Sequence, residues 1–244
     1  MKLRVGHLYP QYLNIYADRG NIAVLETRAR ARGIEFELQA IGLGEPVPPA
    51  VDLFYIGGGQ DREQALVAAD LAGKAGALAE AAAAGTAFLA VCGGYQLLGR
   101  FYRDRSGVEI PGVGLLPLHT VAGERRLIGD VLLDCDWAGE TLAGFENHGG
   151  RTILGQGAEP LGRVVYGYGN DGESGAEGCR DGRLYGTYLH GPLLPRNPWF
   201  ADRVLADALA HGTGRTVELA PLDDGLERRA HEVAAARARE RGGR

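Results

Sequence analysis

The sequence is sparing with cysteine, tryptophan and methionine, and it contains no long apolar run. Its three cysteines, Cys92, Cys135 and Cys179, are odd in number and far apart. They form neither a metal-ligand spacing nor a disulfide framework, which is expected of a chain kept in a reducing compartment. No apolar stretch approaches the roughly 20 residues that a bilayer-spanning helix needs. The opening residues Met1-Lys2-Leu3-Arg4-Val5 lack the long apolar region of a secretory leader, so a cytoplasmic location is expected. Positive charge is not in excess either. A formal net charge of −5 leaves no electrostatic footprint for nucleic acid or for an anionic membrane. No internal repeat or linker divides the 244 residues. A single domain over residues 1–224 is expected, followed by a tail, 225–244. There Ala, Glu and Arg alternate without an apolar stripe, which suggests a frayed helix or a mobile segment.

What is present in quantity is glycine, 39 residues, many of them in the second half, where tight turns are expected. The first half alternates elements. Leu3 to Leu8 predicts a strand, Gly20-Asn21 to about Arg32 a helix stopped by Gly33, and Ile34 to Ile41 a second strand. Tyr9 to Arg19 reads as the intervening loop. Asp52 to Ile56 is a third strand, followed by Gly57-Gly58-Gly59-Gln60-Asp61 and an Ala-rich helix ending near Gly85. This order argues for an α/β fold with a doubly wound, mostly parallel sheet. Past Tyr102 the pattern breaks into short pieces: Gly112–Leu116, Leu127–Leu133, Gly144–Asn147, Arg151–Leu154, Val164–Tyr168 and Arg183–Leu189. These are expected to be antiparallel extensions of the sheet. Tyr168 to Gly182, rich in Gly, Asp, Glu and Asn, reads as an exposed loop around Cys179. Asn197-Pro198-Trp199 to His211 is a further helix.

The stretch around Cys92 organises the rest. Ala87 to Val91 is a short apolar run of the kind buried in a parallel sheet. It stops at Cys92, and Gly93-Gly94 lead into a helix-like Tyr95-Gln96-Leu97-Leu98. Strand, sharp turn with a nucleophile at its tip, then helix is the layout of a nucleophile elbow, with Cys in the place of Ser. The N–H of Gly93 would face a developing oxyanion, and the dipole of the following helix favours a thiolate. The Gly57–Gly59 turn ends the preceding strand. Gly58 or Gly59 there would offer the second N–H.

A thiol with an ordinary pKa near ~8.5 needs a base. Of six histidines, His7 lies inside a strand, His119 in a turn after Pro117, His211 at a helix end and His231 in the tail. His148 and His190 remain. His190 is the stronger candidate because it ends the strand-like Arg183–Leu189 and is followed by Gly191-Pro192.

Ala90-Val91-Cys92-Gly93-Gly94-Tyr95-Gln96, with Tyr185-Gly186-Thr187-Tyr188-Leu189-His190-Gly191, resembles the class I (triad-type) glutamine amidotransferases of the cobyric acid synthase-like group. Further matches are Ile56-Gly57-Gly58-Gly59-Gln60-Asp61, Tyr9-Pro10 to Gly20-Asn21, Arg126-Leu127-Ile128-Gly129-Asp130 and Gly144 to Thr152. They resemble, within that group, the small glutaminase subunits of lipid II isoglutaminyl synthase. The resemblance implies a class I glutamine amidotransferase-like fold and hydrolysis of L-glutamine by Cys92, with His190 as base and acid. It further implies Gly93 with Gly58 and Gly59 as oxyanion donors, Arg126 on the substrate α-carboxylate and Gln96 helping to hold the glutamine. No cofactor or metal is implied in this chain; ATP and Mg belong to a partner. That partner is a Mur-ligase-like synthetase (MurT), which uses the ammonia to amidate the D-glutamate α-carboxyl of the lipid II stem peptide.

Two departures stand out. Ala90 replaces a glycine common two residues before the nucleophile. Pro192 occupies the place where these enzymes put an acid two residues after the His, which implies an orienting carboxylate donated by the partner. Two other readings fit the same residues: a free-standing Cys hydrolase of γ-glutamyl compounds, and a catalytically silent subunit that only stabilises a synthetase. Cys135, in a strand, and Cys179, in a loop, read as incidental.

Overall fold

Apolar runs dictate where the main sheet lies. In a computed structural model, residues 1–14 and 19–241 are described, except for the side chains at 61 and 241. Part of the Tyr9–Arg19 loop, 15–18, and the last residues of the tail, 242–244, fall outside that set. The first half runs β1 (Lys2–Leu8), α1 (Arg19–Arg30), β2 (Glu35–Ile41), β3 (Leu53–Ile56), α2 (Asp61–Ala83), β4 (Ala87–Val91) and α3 (Gly93–Leu98). The second half runs β5 (Phe101–Arg103), β6 (Glu109–Pro111), β7 (Leu118–Cys135), β8 (Glu140–Leu154), β9 (Gly162–Tyr166), β10 (Ala176–Glu177), β11 (Cys179–Asp181), β12 (Leu184–Thr187), α4 (Pro198–Thr213) and α5 (Gly225–Arg241).

The first sheet has the order β11-β12-β4-β3-β1-β2 and is parallel except for β11. Leu53-Phe54-Tyr55-Ile56 and Ala87-Phe88-Leu89-Ala90-Val91 are buried along their whole length, as central strands covered on both faces must be. The chain goes from β1 outward to β2, then returns to the other side of β1 with β3. The strand order therefore reverses beside β1, and the carboxyl ends of β3, β4 and β12 line up next to that switch point.

Most of the short pieces past Tyr102 do not extend this sheet. They build a second one, β10-β9-β7-β5-β6 with β8 paired to β7. Leu127–Leu133, Gly144–Asn147 and Arg151–Leu154 are segments of one long antiparallel ribbon, β7–β8, interrupted by a bulge between Ala122 and Leu127. His119 accordingly lies in a strand, and Gly112–Leu116 is irregular. Only β11 and β12 join the first sheet. A two-way backbone bridge ties the two sheets near the site, with His190 N–H on the Phe145 carbonyl at 2.7 Å and Phe145 N–H on the His190 carbonyl at 3.3 Å.

One expectation is corrected. The segment 168–182 is not an exposed loop: Asn170, Glu177 and Cys179 are buried in it. The Asn170 amide stitches it together by donating to the Gly178 carbonyl and accepting from the Gly178 N–H. From Gly225 to Arg241 the tail is a helix, α5. Ala234, Ala235 and Ala238 of α5 pack into a small cluster with Leu132 and Ala143, too slight a stripe to stand out by hydropathy.

Candidate active site

Cys92 sits at the end of β4 with φ 52° and ψ −109°, one of two non-glycine residues with positive φ among those described. An L-residue held there stores strain, and such strain persists only where the surroundings enforce it. The enforcement is visible. Cys92 N–H donates to the Thr187 carbonyl of the neighbouring strand at 2.8 Å, and Gly94 N–H donates to the Gly57 carbonyl at 3.1 Å. The elbow and the Gly57–Gly59 turn pack backbone on backbone. A Cβ added at Gly93 would lie 2.9 Å from the Gly59 nitrogen, and one at Gly94 would lie 2.6 Å from the Ile56 oxygen. Glycine is required at both positions because any side chain would force the two turns apart.

Above the elbow opens a cavity of about 410 Å³. Cys92, Gly59, Gln96, Arg126 and His148 line it together. Cys92 is 9% exposed and lines a largely polar cavity. Cys135 and Cys179 are elsewhere, and burial pushes both of their thiols up to about 12, so neither is a nucleophile near neutrality.

Arg126 stands on the bulge of β7, where Gly123 to Arg126 face the single Gly149 across the ribbon. Such a bulge re-aims a side chain. Its guanidinium is clamped on Asn147, with Nε 2.8 Å from the side-chain oxygen and Nη2 2.7 Å from the carbonyl. It makes no ion pair among the described residues, which suits a fork awaiting a carboxylate. Gln96 does not lie on a helix surface. It is buried, accepts from Gln64 Nε2 at 2.9 Å and donates to the Tyr188 hydroxyl at 3.0 Å.

The two histidines separate. His148 reaches the cavity wall and is held on three sides: Nδ1 lies 2.9 Å from the Gly150 carbonyl, Nε2 lies 3.4 Å from Glu146, and the ring stacks on Tyr188 with centroids 3.6 Å apart. His190 is buried three residues beyond β12, the strand paired in parallel with β4, where Thr187 lies opposite Val91. Cys92 and His190 thus emerge from the same ends of neighbouring strands. Gly59 lines the cavity and Gly58 does not.

The sequence reading passed over Gln64 and Glu177. Gln64, in the first turns of α2, lines the cavity and also donates to the Gly59 carbonyl at 3.2 Å, fixing that turn. A polar residue one helical turn after a glycine loop was the available signal. Glu177 is fully buried and accepts the Tyr188 N–H at 2.7 Å and the Thr187 hydroxyl, so it braces the segment that leads to His190. Burial, opposed by those hydrogen bonds, pushes its carboxyl up to about 8. No group of residues able to hold a metal occurs among those described.

Residues 4–198 match the CobB/CobQ-like glutamine amidotransferase domain, a span that takes in both Cys92 and His190. The chain belongs to this family of glutamine amidotransferases. Within it, the chain is 41% identical over 238 residues to the lipid II isoglutaminyl synthase (glutamine-hydrolyzing) subunit GatD of Staphylococcus aureus (strain N315), covering 97% of this chain and 96% of the relative. The GatD subunit of Streptococcus pneumoniae (strain ATCC BAA-255 / R6) is 37% identical over 225 residues, covering 91% and 86%. A cobyric acid synthase from Pelotomaculum thermopropionicum is 35% identical over 209 residues. That match takes in 78% of this chain but only 37% of the synthase. Among solved structures, PurLQS from Thermotoga maritima shares the fold with a TM-score of 0.58 at 19% identity, over 86% of this chain and 96% of that one.

Proposed function

We propose that the chain is the glutamine-hydrolysing subunit of a lipid II isoglutaminyl synthase, with Cys92 as nucleophile and His190 as its base. His190 takes the thiol proton as sulfur attacks the side-chain amide carbon of L-glutamine. The tetrahedral oxyanion receives the N–H groups of Gly93 and of the Gly58–Gly59 turn. His190 returns the proton to the leaving nitrogen, ammonia departs, and a glutamyl thioester remains on Cys92. Water, deprotonated by His190, releases glutamate and regenerates the thiol. Arg126 holds the substrate α-carboxylate, and Gln96, steadied by Gln64 and Tyr188, helps to hold the glutamine.

The observation that carries this reading is the strained elbow at Cys92 packed on the Gly57–Gly59 turn. The likeness to GatD subunits supports the acceptor. Ammonia passes to a Mur-ligase-like synthetase subunit, MurT, which holds ATP and Mg and amidates the D-glutamate α-carboxyl of the stem peptide to D-isoglutamine. With Pro192 in the usual acid position, the partner supplies the carboxylate that orients His190. The site of action is the cytoplasm; no helix among the described residues is long and apolar enough to cross a membrane.

The test is ammonia release from glutamine by the chain alone and with the purified synthetase. Release that rises on adding the synthetase and disappears in Cys92→Ser is expected. Turnover of γ-glutamyl peptides with no response to the synthetase would indicate the free-standing hydrolase instead.

A further inference from the structure

A groove of about 340 Å³ runs between α5 and β7, lined by Asp130, Arg196, Leu226, Arg229, Val233 and Arg237 among others. Three guanidiniums face one carboxylate. None of the three arginines closes an ion pair among the described residues; Arg196 is committed only to the Gly191 carbonyl, at 2.6 Å. Desolvation and the nearby charge of Arg237 press Arg196 below the usual arginine range, with Asp130 the only opposing charge. Between the arginines, Leu226 is 70% and Val233 55% exposed. α5 therefore turns its small alanines inward and leaves its larger apolar side chains outside, the reverse of what a helix serving only its own fold would do.

The same strand, β7, carries Asp130 of the groove and Arg126 of the catalytic cavity. Asp130 and Ile128 alternate along the outer face of β7, and Ile128 is 50% exposed. Ile128 pairs with Asn147, the residue that clamps Arg126 at the cavity rim. At the inner end, Arg196 holds the turn just past His190. A body seated on the groove and following β7 would pass Ile128 on the way towards Arg126.

We propose that the α5–β7 groove is the docking surface for an acidic, partly apolar segment of the synthetase subunit. This rests on the partner relation proposed above. The excess of unpaired guanidiniums selects carboxylates, the exposed Leu226 and Val233 select apolar side chains between them, and the strand shared with Arg126 suits a partner that takes up the ammonia.

The experiment titrates the purified full chain with the purified synthetase by calorimetry at two salt concentrations. Arg229→Glu/Arg237→Glu is expected to weaken binding by about tenfold or more and to flatten its salt dependence. Leu226→Asp/Val233→Asp, which leaves the arginines in place, is expected to weaken it as well. Arg215→Glu, outside the groove, is expected to bind as the wild type does. Both double variants binding with wild-type affinity would overturn the docking surface while leaving the partner relation standing. A wild-type chain that does not bind the synthetase would overturn both. A dimer of this chain in sedimentation that the double variants abolish would assign the groove to a second copy and overturn the acidic partner.

Discussion

The backbone of Cys92 carries a cost that its side chain does not need. At φ 52° an L-residue is strained by about 1–3 kcal/mol, and glycine is not. Cys92→Gly is therefore expected to be more stable than Cys92→Ala by about 1 kcal/mol in urea unfolding, both lacking the thiol. Equal midpoints would mean that the elbow is relaxed. Glu177 gives a second prediction at this scale. Its carboxyl titrates near 8 when folded and near its ordinary 4.5 when unfolded. Below about 4.5 both states hold the proton; between about 4.5 and about 8 only the folded state does. Stability from this group thus falls as pH rises through that window and levels off above it. Glu177→Gln removes the slope, so the difference between variant and wild-type unfolding midpoints should shift in favour of the variant from the acid to the alkaline end. A difference that stays constant with pH would show that Glu177 is ionised in the folded protein throughout.

At the scale of elements, two turns act as one unit. Gly93 opens α3 and Gly59 ends the turn after β3, and a Cβ at Gly93 would lie 2.9 Å from the Gly59 nitrogen and 2.8 Å from Gln64 Nε2. Gly93→Ala is expected to cost about 1–3 kcal/mol and to move the N–H proposed to bind the oxyanion. A fall in kcat of about a hundredfold or more should follow, measured beside the melting temperature. Unchanged kcat in a folded variant would place the oxyanion elsewhere. The elbow was legible because strand, glycines and helix are consecutive, and each residue type has a local reason to be there. The ribbon β7–β8 was not, because glycines and a four-residue bulge cut one long pairing into apolar fragments that read as separate strands. The docking of α5 depends on alanines, and the order of 168–182 depends on the Asn170 amide; neither leaves a periodic signal. Arg126 was placed by resemblance, and the bulge that aims it into the cavity emerges only from the register of the two strands.

Across the whole molecule, the parallel sheet carries Cys92, the Gly57–Gly59 turn and the strand leading to His190. The second sheet supplies the wall with Arg126, Asn147 and His148. The cavity opens where the two meet, and the proposed docking groove lies farther along β7, against α5. On the proposed division of labour, the covalent step belongs to this chain and the use of the ammonia to the synthetase. Acid quenching of the chain during turnover of glutamine in the presence of the synthetase, followed by mass spectrometry of its peptides, tests that directly. A glutamyl adduct on the peptide containing Cys92, absent from the peptides with Cys135 and Cys179 and from Cys92→Ser, is the predicted result. Sustained ammonia release by Cys92→Ser, or an adduct on another residue, would contradict it.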